Sequence, residues 1–261
     1  MVNDTLKLSD QKVLNEARTV LKAHLPLAAD GYLCTSDDLY DALLGVAVNR
    51  GTIQSICQDW LGIAEPETVR GYLNSQLRLE DLPELERRLN AALADQLPPR
   101  IKRQAQNVAA DLHDRPYYGK QTQDEARWVR GEARDGTTRF YRVATAYVML
   151  NGLRVSLAIH FVMPEDDMVM VLRVLLNRLR CRAIAIACLF LDKGFAGIAV
   201  MRYLTQRRQP ALIACTIRGK QGGTRALCVG HKGYRTAYTF ESAEQGAFTA
   251  ELAVCRTFTT A

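Results

Sequence analysis

No apolar run in this sequence approaches the ~20 uninterrupted residues that a membrane-spanning helix needs, and the opening MVNDTLKLSDQK has neither the basic nor the apolar region of a signal peptide. The expectation is a soluble cytoplasmic protein with no membrane partner. The seven cysteines (Cys34, Cys57, Cys181, Cys188, Cys215, Cys228, Cys255) are odd in number and never form CxxC, which argues against a disulfide framework or a zinc ribbon. Most have apolar neighbours, so they read as reduced core residues. No repeat or low-complexity tract is visible, which removes solenoids and fibrous arrays. What remains is 261 residues with 48% hydrophobic content, enough for one large domain with an appendage or for two.

Acidic residues thin out toward the end of the chain. The formal charge is +6, and from Met201 to Ala261 nine Lys or Arg face only three Glu. QRRQ (Arg207, Arg208) and IRGKQGGTR (Arg218, Lys220) are the densest parts. Such a surface suits phosphate backbones, although a solvated face explains any single charge run equally well.

Residues 1 to about 98 read as helices only. SDQKVLNEARTVLKAHL is amphipathic at helical spacing, and TSDDLYDALLGVAVNR starts with a Thr35 or Ser36 cap and acids in its first turn. A short helix from Thr52 to Leu61, the break GIAEP and a helix from Pro66 to about Leu77 give a helix-turn-helix pattern. In that reading the second helix enters the DNA major groove with Glu67, Thr68, Arg70, Asn74 and Gln76 as its polar face. The plain alternative is a helical hairpin whose Ile53, Ile56, Val69 and Leu73 make core. LEDLPELERRLNAALADQLPP is a further helix stopped by Pro98-Pro99, which marks the domain boundary.

Beyond the prolines the hydrophobic period changes from helical to alternating. TTRFYRVATAYVML and LRVSLAIHFVM are β-rich and joined by Asn151-Gly152, a strong hairpin signal. PEDDMVMVLRVLLNRLRCR carries acids at its start and arginines at its end, as a helix dipole favours. AIAIACLFLD reads as a strand buried on both faces. KGFAGIAVMRYLTQRR reads as a turn and helix, and PALIACTI as another short buried strand. From residue 218 onward TRALCVG, YRTAYTF and GAFTAELAVCRTFTT read as short strands. The fold class is therefore α/β: a mixed sheet with helices over 101–217, preceded by a helical domain (1–98) and followed by a β-rich part (218–261).

Two acids share one description. Asp111, in NVAADLHDRPYYGK, and Asp192, in LFLDKGF, each follow an apolar strand where it meets a loop. Strands side by side would bring both carboxylates to one crevice, where mutual repulsion favours a bound Mg²⁺ or Mn²⁺. Without a metal, Asp111 would begin an Asp-turn and Asp192 would cap the following helix.

These motifs, their separation of 192 − 111 = 81 residues and the β-rich stretch after PALIACTI resemble insertion-sequence DDE transposases with a ribonuclease-H-like core. The branch resembled is the one in which a β-rich insertion precedes the third acid. The resemblance covers 101–261, and ETVRGYL is similar to the family's N-terminal DNA-binding part. It implies that Asp111 and Asp192 are the first two catalytic, metal-holding acids and that Mg²⁺ or Mn²⁺ is the cofactor. It also implies that DNA, as element ends and target, is the partner, with room for a homodimer. Asp114 fits a turn residue, and Tyr117 and Tyr118 could pack the loop or touch DNA.

The third acid of that family is a glutamate on a helix after the insertion. Here the only acids after Asp192 are Glu241, Glu244 and Glu251, all in strand-like or turn-like sequence. Three readings stand together: a metal-dependent DNA strand-transfer enzyme, a truncated DNA-binding remnant that cannot cut, and a generic ribonuclease-H-like nuclease.

Overall fold

The computed structural model describes residues 9–59, 64–119, 127–220 and 222–255. The chain divides into two compact units, Met1–Gln96 and Leu97–Ala261.

In the first unit, helix α1 (Asp10–His24) is capped by Ser9, whose hydroxyl accepts from the Lys12 amide. Helix α2 (Ser36–Asn49) begins with a reciprocal capping box between Thr35 and Asp38. Helices α3 (Ile53–Asp59), α4 (Pro66–Gln76) and α5 (Leu82–Asp95) follow. Pro66 sits in the first turn of α4, where its missing N–H costs nothing. Of the predicted break GIAEP, Gly62 and Ile63 lie outside the described residues, while Ala64 and Glu65 lead into α4. Leu39, Tyr40, Ala42, Val69 and Leu73 form the core with Leu25, Leu27 and Cys34. The Arg18 guanidinium grips the Asp41 carboxylate with two hydrogen bonds and ties α1 to α2. The helices-only reading needs one correction. Asp30–Gly31 (β1) and Cys34–Thr35 (β2) pair antiparallel, a ribbon too short to show any alternation in sequence.

The second unit is built on a mixed sheet. Its strands are β3 (Gln106–Pro116), β4 (Val129–Arg134), β5 (Thr137–Leu150), β6 (Leu153–Val162), β7 (Ile186–Leu191) and β8 (Ala211–Ile213). Across the sheet β6, β5, β3, β7 and β8 lie in that order, and β4 shares the β6 edge of β5. The β3–β5 and β5–β6 pairs are antiparallel, whereas β3–β7 and β7–β8 are parallel and are reached through helices α6 (Met168–Cys181) and α7 (Ile198–Gln206). On α6, Val171, Leu172, Leu175 and Leu179 recur at helical spacing and join one core with Val108, Ala110, Ala144, Ala146, Val148, Leu157, Leu189 and Leu191. One face of the sheet is thus the packed one.

The Asn151-Gly152 turn adopts φ values of 53° and 78°, the mirror-image turn that matches strand twist. A Cβ at Gly152 would meet nothing within 4 Å, so only backbone conformation resists a side chain there. Gly152→Ala is expected to cost about 1 kcal/mol, measured by urea unfolding. No change in midpoint would mean that the turn is not held in this form.

Four features differ from the sequence reading. Strands β7 and β8 are buried on one face only: Phe190 is 39% and Leu212 60% exposed. TRALCVG falls on a 3₁₀ segment, Gly223–Cys228, and not on a strand. Strand β4 and its Asp135-Gly136 turn, again at φ 53° and 78°, went unread. Of the seven cysteines, all free, only Cys34 is buried, while Cys181, Cys215 and Cys255 are exposed. Cys181 is the last residue of α6, and Cys215 and Cys255 lie outside any strand, where apolar neighbours in sequence do not enforce burial.

After β8 come β9 (Tyr234–Ser242) and β10 (Gly246–Val254), a two-stranded antiparallel ribbon. Its turn docks on α7. The Arg202 guanidinium donates to the Gln245 and Ala247 carbonyls, and the Gln245 side-chain oxygen accepts from the Ala199 amide at 3.1 Å. Gly197 has no side chain to cap α7, and Gln245 supplies that cap from 46 residues away. The final residues, 256–261, lie outside the described residues.

Candidate catalytic and metal-binding site

Asp111 is not at the end of its strand, as its sequence neighbourhood suggested. It lies inside β3, which continues to Pro116 because it pairs with β5 along that length. Toward β7, however, pairing stops at Ala110 opposite Leu191. Asp111 and Asp192 are therefore the next residues after the last parallel pair, on strands that neighbour each other at about 4.8 Å. The pleat puts Ala110 and Leu191 on the packed face, so the residues following them belong to the opposite one.

Each carboxylate has one oxygen engaged by backbone. Asp111 Oδ1 accepts from the Leu112 amide at 2.9 Å, and Asp192 Oδ1 accepts from the Gly194 amide at 2.9 Å. Asp192 thus caps a 3₁₀ turn, Lys193–Phe195, as the plain reading anticipated. The capping uses one oxygen and leaves the other available.

Around Asp111 the sheet supplies three residues that the sequence reading missed. Arg154 Nη2 donates to Thr145 Oγ1 at 2.7 Å and lies 3.1 Å from His113 Nε2. Its guanidinium sits 3.8 Å above the Tyr147 ring. Asp111 Oδ2 is 3.6 Å from His113 Nε2 and 3.9 Å from Arg154 Nη1. A guanidinium only donates, so His113 Nε2 accepts from it. Alternation was the available signal: His113 stands two residues after Asp111, and Thr145 is the cross-strand partner of Asp111.

Carboxylate oxygens such as those of Asp111 and Asp192 are the ligand type that a hard divalent ion such as Mg²⁺ or Mn²⁺ prefers. Among the described residues no group of three or more His, Cys, Asp or Glu is arranged to hold a metal. Glu241 and Glu251 are exposed on β9 and β10, with Glu251 3.6 Å from Arg235, and Glu244 is exposed in the ribbon turn. Asp114 is taken up elsewhere: Arg142 holds it at 2.6 and 3.0 Å, and Arg134 lies 3.7 Å away.

The residues anticipated to meet DNA divide. Thr68 and Asn74 are exposed on α4, and Arg70 is half-exposed, bonded to Glu67 at 2.8 Å and Gln54 at 3.1 Å. Gln76 must be withdrawn from that polar face. Its amide makes both hydrogen bonds to the Ala28 backbone, each 2.8 Å, and so fastens the chain after α1. Arg207 and Arg208 are exposed at the end of α7, and Arg218 and Lys220 are exposed after β8. Arg207 also lies 5.0 Å from the Tyr203 ring.

No protein-family model and no curated protein matches this sequence. Among solved structures, the chain is similar to the piggyBac transposase in its synaptic complex with hairpin DNA, at 9% identity and a TM-score of 0.49. The match covers 96% of this chain and 60% of that one. Among the described residues, no helix is long and apolar enough to cross a membrane.

Proposed function

We propose that the second unit is the catalytic core of a DNA transposase of the insertion-sequence type, with a ribonuclease-H-like fold and Asp111 and Asp192 as its metal-holding acids. One observation carries the reading: the two acids follow the last pair of two parallel neighbouring strands, on the face opposite the core. An antiparallel hairpin leading into strand-helix-strand-helix-strand supports it as well.

In this reading Asp111 and Asp192 hold Mg²⁺ or Mn²⁺, which when bound supplies Lewis-acid activation of water or a 3′-hydroxyl for phosphodiester cleavage and strand transfer. The chain's own residues do the placing. The Leu112 and Gly194 amides fix one oxygen of each acid. Residues 1–98 form the DNA-recognition domain, in which Thr68, Arg70 and Asn74 face DNA from α4, and Arg207, Arg208, Arg218 and Lys220 meet phosphate from the second unit.

The exposed placement of Glu241, Glu244 and Glu251 favours a second reading, in which the chain binds element ends and cutting needs a third acid from elsewhere. Incubating the chain with element-end DNA in Mn²⁺, beside Asp192→Ala and Asp111→Asn, separates the two. Nicking that both substitutions abolish is the expected result for the enzyme. DNA binding without nicking supports the second reading. Nicking that survives both substitutions, or Mn²⁺ binding by paramagnetic resonance unchanged in both, would refute the site.

A further inference from the structure

On the β4–β5 hairpin, Arg130 and Arg139 are direct cross-strand partners. Like charges opposite one another destabilise a ribbon unless something anionic joins them. Neither forms an ion pair with a described residue, whereas the neighbouring Arg142 and Arg134 share Asp114. Both guanidinium groups instead approach one indole, with Arg139 5.0 Å and Arg130 5.9 Å from the Trp128 ring. Trp128 is 7% exposed, and its Nε1 is buried with no hydrogen-bond partner among the described residues. Beside them Tyr117 and Tyr141 meet edge to face, 5.1 Å between centroids. Arginines interleaved with aromatic rings on a strand surface match the chemistry of a nucleic-acid strand, in which phosphates alternate with stackable bases.

The pleat adds a direction. The β3–β5 register runs without a shift from Ala109 to Pro116, so Asp111, His113 and Arg115 share one face with Thr145, Val143 and Tyr141. Arg139, two residues before Tyr141 on β5, continues that face. Six residues separate Asp111 from Tyr117, about 20 Å of strand. That is the length of about six nucleotides at ~3.4 Å each.

We propose that Arg130, Arg139 and Trp128, with Arg115 and Tyr117, form a backbone-binding track for DNA that leads along the open face of the sheet toward Asp111. It rests on the proposed function only for what stands at its end. The unpaired arginines take consecutive phosphates, and Trp128 holds them parallel while they are empty.

The test uses the full chain carrying Trp60→Phe, which leaves Trp128 as the sole tryptophan of the two. A fluorescein-labelled duplex is titrated by anisotropy across a salt series, with Trp128 emission followed in parallel on unlabelled DNA. Arg130→Gln/Arg139→Gln is expected to flatten the slope of log K against log salt by about 1.8, twice the ~0.9 expected per phosphate neutralised. Trp128 emission should change on DNA addition, and should still change with Asp111→Asn/Asp192→Asn. Arg130→Lys/Arg139→Lys should retain the slope, and it carries the comparison if the glutamine pair fails to fold. A slope unchanged by the glutamine pair, with an unaltered melting curve, overturns the track. So does polyglutamate producing the same emission change at equal affinity. Loss of nicking with the track intact would instead bear on the proposed function alone.

Discussion

Tyr40→Phe, the removal of one hydroxyl, is expected to lower the unfolding free energy of the Met1–Gln96 unit by about 2–6 kcal/mol. Tyr40 is 1% exposed, and its hydroxyl is bonded on both sides. It accepts from the Leu27 amide at 2.8 Å and donates to the Leu25 carbonyl at 2.9 Å. Those two backbone groups lie just past α1, where the chain leaves the helix and turns into the core. Phenylalanine fills the same space but leaves one buried donor and one buried acceptor unsatisfied, at about 1–3 kcal/mol each. Urea unfolding read from single-tryptophan variants checks this, since Trp60 belongs to the first unit and Trp128 to the second. The Trp60 midpoint should fall and the Trp128 midpoint should stay. Tyr32→Phe, at a fully exposed tyrosine, is the control and should move neither. A Tyr40→Phe midpoint equal to that of the parent would mean that water replaces the hydroxyl.

The elements that could be read from sequence are those whose signals are local. Thr35 and Asp38 satisfy each other within one turn, Asp167 caps α6 through the Met170 amide, and Asn151-Gly152 closes its hairpin with two left-handed residues. Each needs only neighbours a few positions away. Misreadings arose where a distant partner decides. β3 runs past Asp111 because β5 pairs with it, and nothing within NVAADLHDRPYY announces that partner. Phe190 looks like core in LFLD, yet it points to the face opposite Leu189 and Leu191. Gln76 resembles a base-reading side chain, but its amide is engaged by Ala28, 48 residues back.

The candidate site was half legible for the same reason. Asp111 and Asp192 stand out because each interrupts an apolar run. The residues around Asp111 do not: His113, Thr145 and Arg154 come from three strands, and they meet only through the antiparallel registers of β3, β5 and β6. The arginine pair over Trp128 was equally hidden, since charge counting along the chain cannot tell Arg142, which is paired with Asp114, from Arg139, which is not.

Phe195→Ala should be among the more destabilising single changes in the second unit and should also loosen the site. Phe195 is fully buried in the core formed under the sheet. Deleting a buried aromatic ring costs about 3–5 kcal/mol through lost transfer energy and the cavity left behind. This ring closes the turn that begins at Asp192, with the Phe195 amide donating to the Asp192 carbonyl at 3.2 Å. The same turn is gripped from β3, since a Cβ on Gly194 would lie 3.0 Å from both Leu112 Cδ1 and Asp192 Oδ1. Leu112 follows Asp111, so slack in the turn reaches both acids. The expected result is a large drop in the Trp128-reported urea midpoint. Where the variant remains folded, Mn²⁺ binding should weaken at least tenfold. Lys193→Ala, one residue past Asp192 but exposed, should change stability little. If Phe195→Ala loses stability while Mn²⁺ binding is retained in full, the turn is only a structural plug and Asp192 is positioned by β7 alone. If neither quantity moves, Phe195 does not anchor the turn.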